Sequence, residues 1–361
     1  MKCKKRVALY CKYCAIKKLI FLLPLLALSC SHSQKQKQEI DILNMQSIEL
    51  KTQRINKGEV IARGAYPFVV IDSLFFLFNG DPSSGAVVLN ESDASEVCQF
   101  LAKGNGFGEC FNVDYMGRSK DTLFVYEIST VRKMSYLFSF VDASLRYKCI
   151  ADIRPKNNSE FYYSVHLLEN GLSVGARMSG EKYLFTLLDE KLDSIVSFGK
   201  IPVNYTGSNL AAFKGDFIAD GNIVYYVGMD FSYMAAYEIS DRKVVPKFEK
   251  MYVPPVLTSS GDRISFDKYK HLRGFSTLKS YKDYIFATFS GKTVVSKETE
   301  GASALVTTTI LAFDKQGNPL AKFITPYKIR RIAFTDKKMY LLDLDCNIES
   351  IDMDEVLKYM D

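Results

Sequence analysis

The chain of 361 residues has no tryptophan and only three histidines, and its cysteines are scattered. His32 lies near the N-terminus, so His166 and His271 are the only histidines left for the folded part. This excludes a histidine-rich metal site and leaves few candidates for a His-dependent catalytic triad. Cys98, Cys110, Cys149 and Cys346 follow no Cys-x-x-Cys spacing. Buried free thiols are the preferred interpretation, and a Cys98–Cys110 disulfide is the alternative.

The first 29 residues are predicted to be a secretion leader. Residues 1–18 are basic and contain no acid, residues 19–28 are apolar, and Ser29-Cys30 follows. The apolar run is about half of the roughly 20 residues that a membrane-spanning helix needs. Leu26-Ala27-Leu28-Ser29-Cys30 resembles a bacterial lipobox, with an ordinary signal peptide as the alternative. The resemblance implies cleavage before Cys30, a lipid on Cys30, a tether over residues 30–44, and a place on the periplasmic face of the outer membrane.

The charge of the chain changes when the leader is set aside. Seven of the 47 basic residues lie in residues 1–29, so 40 remain against 41 acidic residues, and the formal net charge falls from +6 to about −1. The basic balance therefore belongs to the leader, and we expect no binding to nucleic acid.

Six segments share a turn that contains Asp, Asn or Gly, followed by an apolar strand. Their aliphatic anchor positions lie 49, 49, 51, 62 and 54 residues apart, at Leu74, Leu123, Leu172, Ile223, Ile285 and Met339. The two longer intervals contain insertions at residues 253–270 and 291–301. A repeat of this length that consists of short strands is typical of the blades of a β-propeller.

Each interval holds about four strand-like runs, most clearly at residues 161–168, 172–178, 183–188 and 194–198. We therefore predict an all-β fold over residues 45–361, a six-bladed β-propeller with four-stranded antiparallel blades. Residues 47–54 are expected to add an outer strand to the last blade and close the ring. Residues 93–101 and 352–360 fit either a short helix or an outer strand.

One loop resembles a known family. Lys103-Gly-Asn-Gly-Phe-Gly-Glu109 is similar to the Lys-Gly-x-Gly-Pro-Gly-Glu loop that joins blades in the TolB-like six-bladed β-propeller lipoproteins of Bacteroidetes, with Phe107 where Pro is usual. The resemblance spans roughly residues 45–361 and implies a fold and a compartment, without an activity. The glycines could bind an anion through backbone amides, but a crossover that needs positive φ is the preferred interpretation.

Two further motifs are more simply explained by strands. Gly171-Leu-Ser173-Val-Gly175 matches G-x-S-x-G but runs from a hairpin turn into a strand, whereas a nucleophile elbow needs a strand-to-helix turn. Asp343-Leu-Asp345-Cys-Asn347-Ile-Glu349 alternates acidic and amide side chains as a calcium loop does, but lacks the glycine and distal glutamate of an EF-hand. We predict no metal site and no cofactor.

Ligand binding is expected at one mouth of the propeller channel, on the loops next to the inner strands. The predicted ligand-binding residues are Glu109, Arg154, Asp230, His271, Arg273, Arg330 and Arg331; the same loops carry Asp81, Tyr205 and Arg263. The many cations suit an anionic small ligand. The leading hypothesis is a non-catalytic binding or scaffolding module for such a ligand or for an envelope protein. The alternative is a hydrolase or lyase at the channel mouth.

Overall fold

A computed structural model of the chain describes residues 41–56, 67–78, 85–141, 144–156, 161–179, 182–296 and 306–360. The predicted leader, Cys30 and Asp81 lie outside these ranges, as do residues 297–301 of the second insertion. No helix within the described ranges is long and apolar enough to cross a membrane.

Two short strands, β1 Ser47–Glu49 and β2 Gln53–Arg54, begin the described fold. Four antiparallel sheets then follow, each a meander of four consecutive strands, and we call them blades 1 to 4. Blade 1 contains β3 Phe68–Ile71, β4 Leu74–Phe78, β5 Ala86–Asn90 and β6 Glu96–Phe100. Blade 2 contains β7 Val113–Ser119, β8 Thr122–Glu127, β9 Arg132–Val141 and β10 Ser144–Ile153. Blade 3 contains β11 Tyr162–Leu167, β12 Ser173–Arg177, β13 Tyr183–Leu188 and β14 Ser194–Lys200. Blade 4 contains β15 Gly215–Asp220, β16 Ile223–Gly228, β17 Ser232–Ser240 and β18 Lys243–Val253.

The remaining strands form a small hairpin and one larger sheet. The hairpin, β19 Leu257–Ser259 and β20 Ser265–Phe266, lies within the first predicted insertion. The larger sheet, which we call the terminal sheet, adds β21 Phe275–Tyr281, β22 Tyr284–Phe289, β23 Thr307–Asp314, β24 Pro319–Phe334, β25 Lys338–Asp343 and β26 Ile348–Asp352. It has eight strands, because β1 and β2 join it. A short helix, α1 Met353–Leu357, follows β26.

The position of a strand within its blade explains its residue pattern. The second strands are buried almost throughout, as β4 and β16 are, because neighbouring sheets cover both of their faces. The outer strands β14 and β18 alternate between exposed and less exposed residues, because one face is solvated. Tight turns set the register: Asp72 and Ser73 both have positive φ between the paired residues Ile71 and Leu74, as a two-residue hairpin requires.

The two ends of the described chain meet in the terminal sheet. β2 pairs antiparallel with β26, as the predicted ring closure requires, whereas β1 pairs parallel with residues 322–324 of β24. The Arg54 Nε donates to Glu349 Oε1 at 2.8 Å, and the Ile348 amide donates to Asn56 Oδ1 at 2.9 Å. The N-terminal segment therefore contributes to two positions of the sheet rather than only to the last blade.

The hydrophobic core consists of clusters that lie between successive sheets. One cluster joins blades 1 and 2, a smaller one joins blades 2 and 3, and the largest joins blades 3 and 4. A further cluster joins blade 4 to the terminal sheet, one lies within that sheet, and one joins it back to blade 1. Since no blade buries its faces alone, the sheets stabilise one another around a closed ring, and the fold is an all-β propeller.

Several local predictions are resolved by this fold. The four strands predicted in the third interval are confirmed as blade 3. Of the two ambiguous segments, the first forms strand β6 and the second forms α1. All four cysteines of the described chain are free thiols, but only Cys110 and Cys346 are buried, so the preferred interpretation is confirmed for these two, and Cys98 and Cys149 are partly exposed. The prediction of six separate blades differs from the sheets of the described residues, which are four sheets of four strands, one of eight strands and the two-stranded hairpin.

Candidate ligand cavity lined by the first strands

A cavity of about 380 Å³ lies where the first strands of the blades meet. The first strands of blades 1 to 4, which are β3, β7, β11 and β15, and the strands β21 and β24 of the terminal sheet contact one another in a closed series that returns from β24 to β3. Each of these six strands contributes a side chain to the cavity, in order Val69, Asp114, His166, Asp216, Lys279 and Arg331. The volume is in the range of sites that bind small molecules.

Asp114 on β7 is the acidic group with an unused acceptor. Its Oδ2 is buried and makes no hydrogen bond with the described residues. Burial raises the pKa of Asp114 to about 6, the neighbouring Ser164 hydroxyl opposes this shift, the charge of Asp216 adds to it, and Lys214 and Arg331 oppose it. A buried carboxylate oxygen without a donor is costly, so this position favours a ligand that supplies one.

Asp216 on β15 is the second acid, and its two oxygens are engaged. The amide of Phe217 donates to Oδ1 at 3.1 Å, and the amide of Leu278 on β21 donates to Oδ2 at 2.8 Å. Burial raises the pKa of Asp216, whereas the nearby Lys279 and Arg331 lower it. Asp216 therefore holds two neighbouring first strands together at the wall of the cavity.

Two cations face these acids. Lys279 on β21 is partly buried, and within the described chain its ammonium makes no hydrogen bond and no ion pair closer than 4.0 Å. Burial lowers the pKa of Lys279, Asp216 raises it, and Arg331 lowers it further. Arg331 on β24 donates from Nη1 to the carbonyl of Arg330 at 2.8 Å. The Lys279 ammonium can thus donate to an acceptor in the cavity.

An aromatic stack forms another part of the wall. The His166 ring lies between Tyr115 and Phe217, with centroid distances of 4.2 and 4.0 Å and nearly parallel planes. Burial, and secondarily Lys279, lowers the pKa of His166 well below its usual value, so the ring is neutral at pH 7. Burial raises the pKa of Tyr115 to about 12. The stack is therefore an uncharged surface beside the charged groups.

Of the seven predicted ligand-binding residues, only Arg331 lines this cavity. Arg330 precedes it and donates from Nη2 to the carbonyl of Leu344 at 3.3 Å. The other five form two separate groups. Glu109 lies in the glycine loop, and Arg154 donates from Nη2 to Asn105 Oδ1 of that loop at 3.1 Å. Asp230, His271 and Arg273 lie next to the first insertion. A role of these six in binding stays a prediction.

In the glycine loop, residues 103–110, the backbone is held from within the protein. The fully buried Arg132 donates to the carbonyls of Gly106 and Glu109 at 3.0 and 2.6 Å, and to Asp152 Oδ2 at 3.1 Å. The Gly106 amide donates to Glu109 Oε2 at 2.8 Å, so the loop's own carboxylate occupies an amide that an anion could have used. Gly108 has φ +71, and a Cβ there would lie 2.7 Å from the Cβ of Cys149. These contacts favour the structural interpretation of the loop.

At the first insertion, three predicted residues bind one another. Arg273 donates from Nε and Nη2 to Asp230 Oδ1 at 3.1 and 2.9 Å. The His271 Nε2 lies 2.7 Å from the Asp230 carbonyl, and its Nδ1 accepts from the Val256 amide at 3.2 Å. His271 is buried and stacks on Phe266 of β20, so this group fixes the insertion onto blade 4.

The G-x-S-x-G match at residues 171–175 and the acidic segment at residues 343–349 are both parts of hairpins. Ser173 is fully buried in β12, where it cannot reach a solvent-borne substrate. Asp343 accepts from the amide and the side chain of Asn347 at 2.7 and 2.9 Å, and Glu349 pairs with Arg54. Among the described residues there is no group of three or more side chains suited to a metal ion.

Asp114, Asp216 and Lys279 were not singled out from the sequence. A signal is present: Val113-Asp-Tyr-Met116 and Gly215-Asp-Phe-Ile218 place an acid at the same point of two first strands, directly before an aromatic residue. An acid inside an apolar strand is rare unless it has a function or a partner. Lys279 has no comparable local signal.

No family model and no curated protein matches the chain. A protein of Bacteroides fragilis inferred to be exported shares 11% identity, with 81% of this chain and 83% of that chain covered and a TM-score of 0.52. Virginiamycin B lyase from Staphylococcus aureus shares 10% identity over 84% of this chain and 98% of that chain, with a TM-score of 0.48. BamB from Moraxella catarrhalis shares 9% identity over 79% and 84%, with a TM-score of 0.40. At such identities a structural likeness shows the fold alone. Of these three comparisons only the first, with a TM-score above 0.5, is close enough to support it.

Proposed function

We propose that this chain is a lipid-anchored periplasmic β-propeller that binds a small polar ligand in its central cavity without chemical conversion. The observation that carries the proposal is one cavity that is lined by Asp114, whose buried Oδ2 has no hydrogen bond, and by Lys279, whose ammonium makes none within the described chain. Buried polar groups are normally paired, so a protein that leaves the Asp114 oxygen without a donor gains by binding a ligand there.

The proposal includes a ring of six blades over residues 45–361. Strand β24 supports this count, because it pairs with β23 mainly through residues 319–324 and with β25 through residues 329–334. Residues 319–324 would then be the outer strand of a fifth blade, and residues 329–334 the first strand of a sixth. The sixth blade would take β2 as its outer strand. The closed series of six first strands fits the same count.

The compartment rests on the leader and on the resemblance to the TolB-like lipoproteins of Bacteroidetes. Cleavage before Cys30 would leave residues 30–44 as a lipidated tether on the periplasmic face of the outer membrane. Metabolic labelling with a fatty-acid probe should mark the wild-type chain and leave Cys30→Ala unmarked. Equal labelling of both chains would refute the anchor.

Binding is favoured over a hydrolase or lyase activity by the hydroxyl groups of the described lining. The Ser280 hydroxyl donates to Asp220 Oδ2 at 2.9 Å and accepts from Lys315 Nζ at 2.7 Å. Burial raises the pKa of Tyr115 to about 12, which keeps its phenol protonated. A phenol that stays protonated is a poor nucleophile, and the Asp220 carboxylate that would have to take the Ser280 proton is itself paired with Lys315.

An envelope protein remains a proposed partner on a different surface. The two outermost strands of blade 2 expose the large apolar side chains of Leu137 and Ile150, at 45% and 47%. Exposed apolar side chains on one sheet edge are typical of a protein-binding surface only where they form a larger patch. Crosslinking in intact envelopes would test this partner independently of the cavity.

The cavity proposal is tested by capture of small molecules. The full chain, purified in detergent, is incubated with a polar metabolite extract, washed, and denatured, and the released compounds are measured by mass spectrometry. We expect a compound that wild type retains and Lys279→Met loses. The matched control is Lys243→Met, which removes an exposed lysine from the outer strand β18. Identical release from wild type and Lys279→Met, or none from either, would refute the proposal.

A further inference from the structure

The cavity carries information about the charge of its ligand. Its lining contains three acids and three cations: Asp114, Asp216, Asp220, Lys279, Lys282 and Arg331. Asp220 is paired with Lys315, and Lys214 is an electrostatic neighbour of Asp114, although neither lysine belongs to the lining. Groups of both signs therefore face one cavity, and a ligand that carries both charges can pair with each sign at low effective dielectric.

The unsatisfied groups determine where the polarity of that ligand must lie. The free Asp114 Oδ2 accepts hydrogen bonds and the Lys279 ammonium only donates them. Asp216 is not available for this task, because backbone amides occupy both of its oxygens. The ligand must carry a donor at one end and an acceptor at the other, and formal charges at both ends give the strongest bonds.

We infer that the cavity binds a small zwitterion, with an ammonium against Asp114 and a carboxylate against Lys279. This inference rests on the proposed function and names the ligand class of the same site. The cavity of about 380 Å³ is at the small end for ligand sites, which suits a free amino acid. The neutral ring pair of Tyr115 and His166 offers the remaining, uncharged part of the ligand a flat surface.

The experiment varies the ligand while the protein stays unchanged. The twenty common free amino acids are ranked by thermal shift on the full chain in detergent, and the best is titrated by calorimetry. Three analogues of that amino acid are compared with it. The α-hydroxy acid has a hydroxyl in place of the ammonium, the des-amino acid has a hydrogen there, and the amide lacks the carboxylate charge. We expect the des-amino acid and the amide each to bind at least about tenfold more weakly, since the first leaves Asp114 without a donor and the second offers Lys279 a neutral acceptor instead of a charged one.

Two variants then assign the ends of the ligand. Asp114→Asn should reduce the difference in affinity between the amino acid and its des-amino acid. Lys279→Met should reduce the difference in affinity between the amino acid and its amide. Asp283→Asn and Lys243→Met, both exposed, should leave the differences unchanged. If a variant fails to fold, the affinities of the analogues for the wild-type protein still show whether the ligand needs both its ammonium and its carboxylate.

The outcomes separate the two levels of the proposal. If metabolite capture yields a compound that is not a zwitterion but depends on Lys279, the cavity binds a ligand and the zwitterion inference is wrong. If no amino acid binds and no compound is captured, both proposals fail. Amino-acid binding that is equal in wild type, Asp114→Asn and Lys279→Met would place binding elsewhere and overturn the inference.

Discussion

The carboxylate of Asp216 accepts a hydrogen bond from the backbone amide of Leu278, with Oδ2 and N separated by 2.8 Å. The two residues lie on the first strands of neighbouring sheets, β15 and β21. The bond thus joins blade 4 to the terminal sheet at the cavity wall. The same carboxylate is an electrostatic neighbour of Asp114, Lys279 and Arg331, so one side chain contributes both to the ring and to the site.

The first prediction concerns this link between sheets. Asp216→Ala should lower the free energy of unfolding by about 1–3 kcal/mol, because it leaves the buried Leu278 amide without an acceptor. Asp216→Asn should lower it less, since an amide oxygen can accept the same bond. Chemical denaturation followed by far-UV circular dichroism measures both. Equal losses in the two variants would show that the charge, rather than the hydrogen bond, stabilises this contact.

The second prediction concerns the pH dependence of stability. Because the pKa of Asp114 is raised to about 6 in the folded protein, folding favours the protonated carboxyl. Its contribution is most favourable near pH 4 and is lost as the pH rises through about 6. The stability of Asp114→Asn relative to wild type should therefore increase by about 2 kcal/mol between pH 4 and pH 7.

Denaturation midpoints of the two proteins across this pH range measure the effect. Asp283→Asn, which changes an exposed carboxylate, serves as the control and should follow the wild type. A difference between Asp114→Asn and wild type that stays constant with pH would contradict a raised pKa at this position.

The third prediction concerns the buried arginine below the glycine loop. Arg132 contacts the Gly106 and Glu109 carbonyls and the Asp152 carboxylate at once. Lysine cannot reproduce this planar set of donors, so Arg132→Lys should destabilise the protein by about 3 kcal/mol or more. Limited proteolysis at residues 103–110 should become faster. Arg118→Lys, on the same blade at a partly exposed position, is the comparison and should change both readouts little.

The fourth prediction concerns the closure of the ring. Asn56 is buried, accepts from the Ile348 amide at 2.9 Å and donates to Asn347 Oδ1 at 3.0 Å. Asn56→Ala should lower the free energy of unfolding by about 1–3 kcal/mol. Gln53→Ala, at an exposed position of β2, should cost less than about 0.5 kcal/mol. If truncation of residues 47–56 left the denaturation midpoint unchanged, the N-terminal strands would not close the ring.

Much of the fold was predictable because its signals are local. The strands of blade 3 follow from apolar runs and from turns that contain Gly and Asp, and short-range geometry determines both. The outcome for residues 96–100 and 353–357 was not predictable in this way, because a short amphipathic segment fits a strand or a helix equally well. There, contacts with neighbouring strands decided the conformation.

The site was less accessible from the sequence. Loop residues such as His271 and Arg273 attract attention because charged loops often bind ligands. In the fold both contact Asp230, although Arg273 Nη1 has no hydrogen-bond partner among the described residues, whereas Asp114 with its unpartnered oxygen lies on a strand. Burial without a partner, which makes Asp114 a candidate, is a property of the folded chain and has no counterpart in the sequence.

The sequence by itself determined that this chain is a repeat of short strands, and it predicts a leader before them, since both patterns are read from neighbouring residues. Only the tertiary structure decided that Asp114, Asp216, Lys279 and Arg331 line one cavity. They are dispersed over more than half of the chain, and no local spacing relates them. Ring closure brings the first strands together, and the low effective dielectric between them gives these four charges their influence on one another.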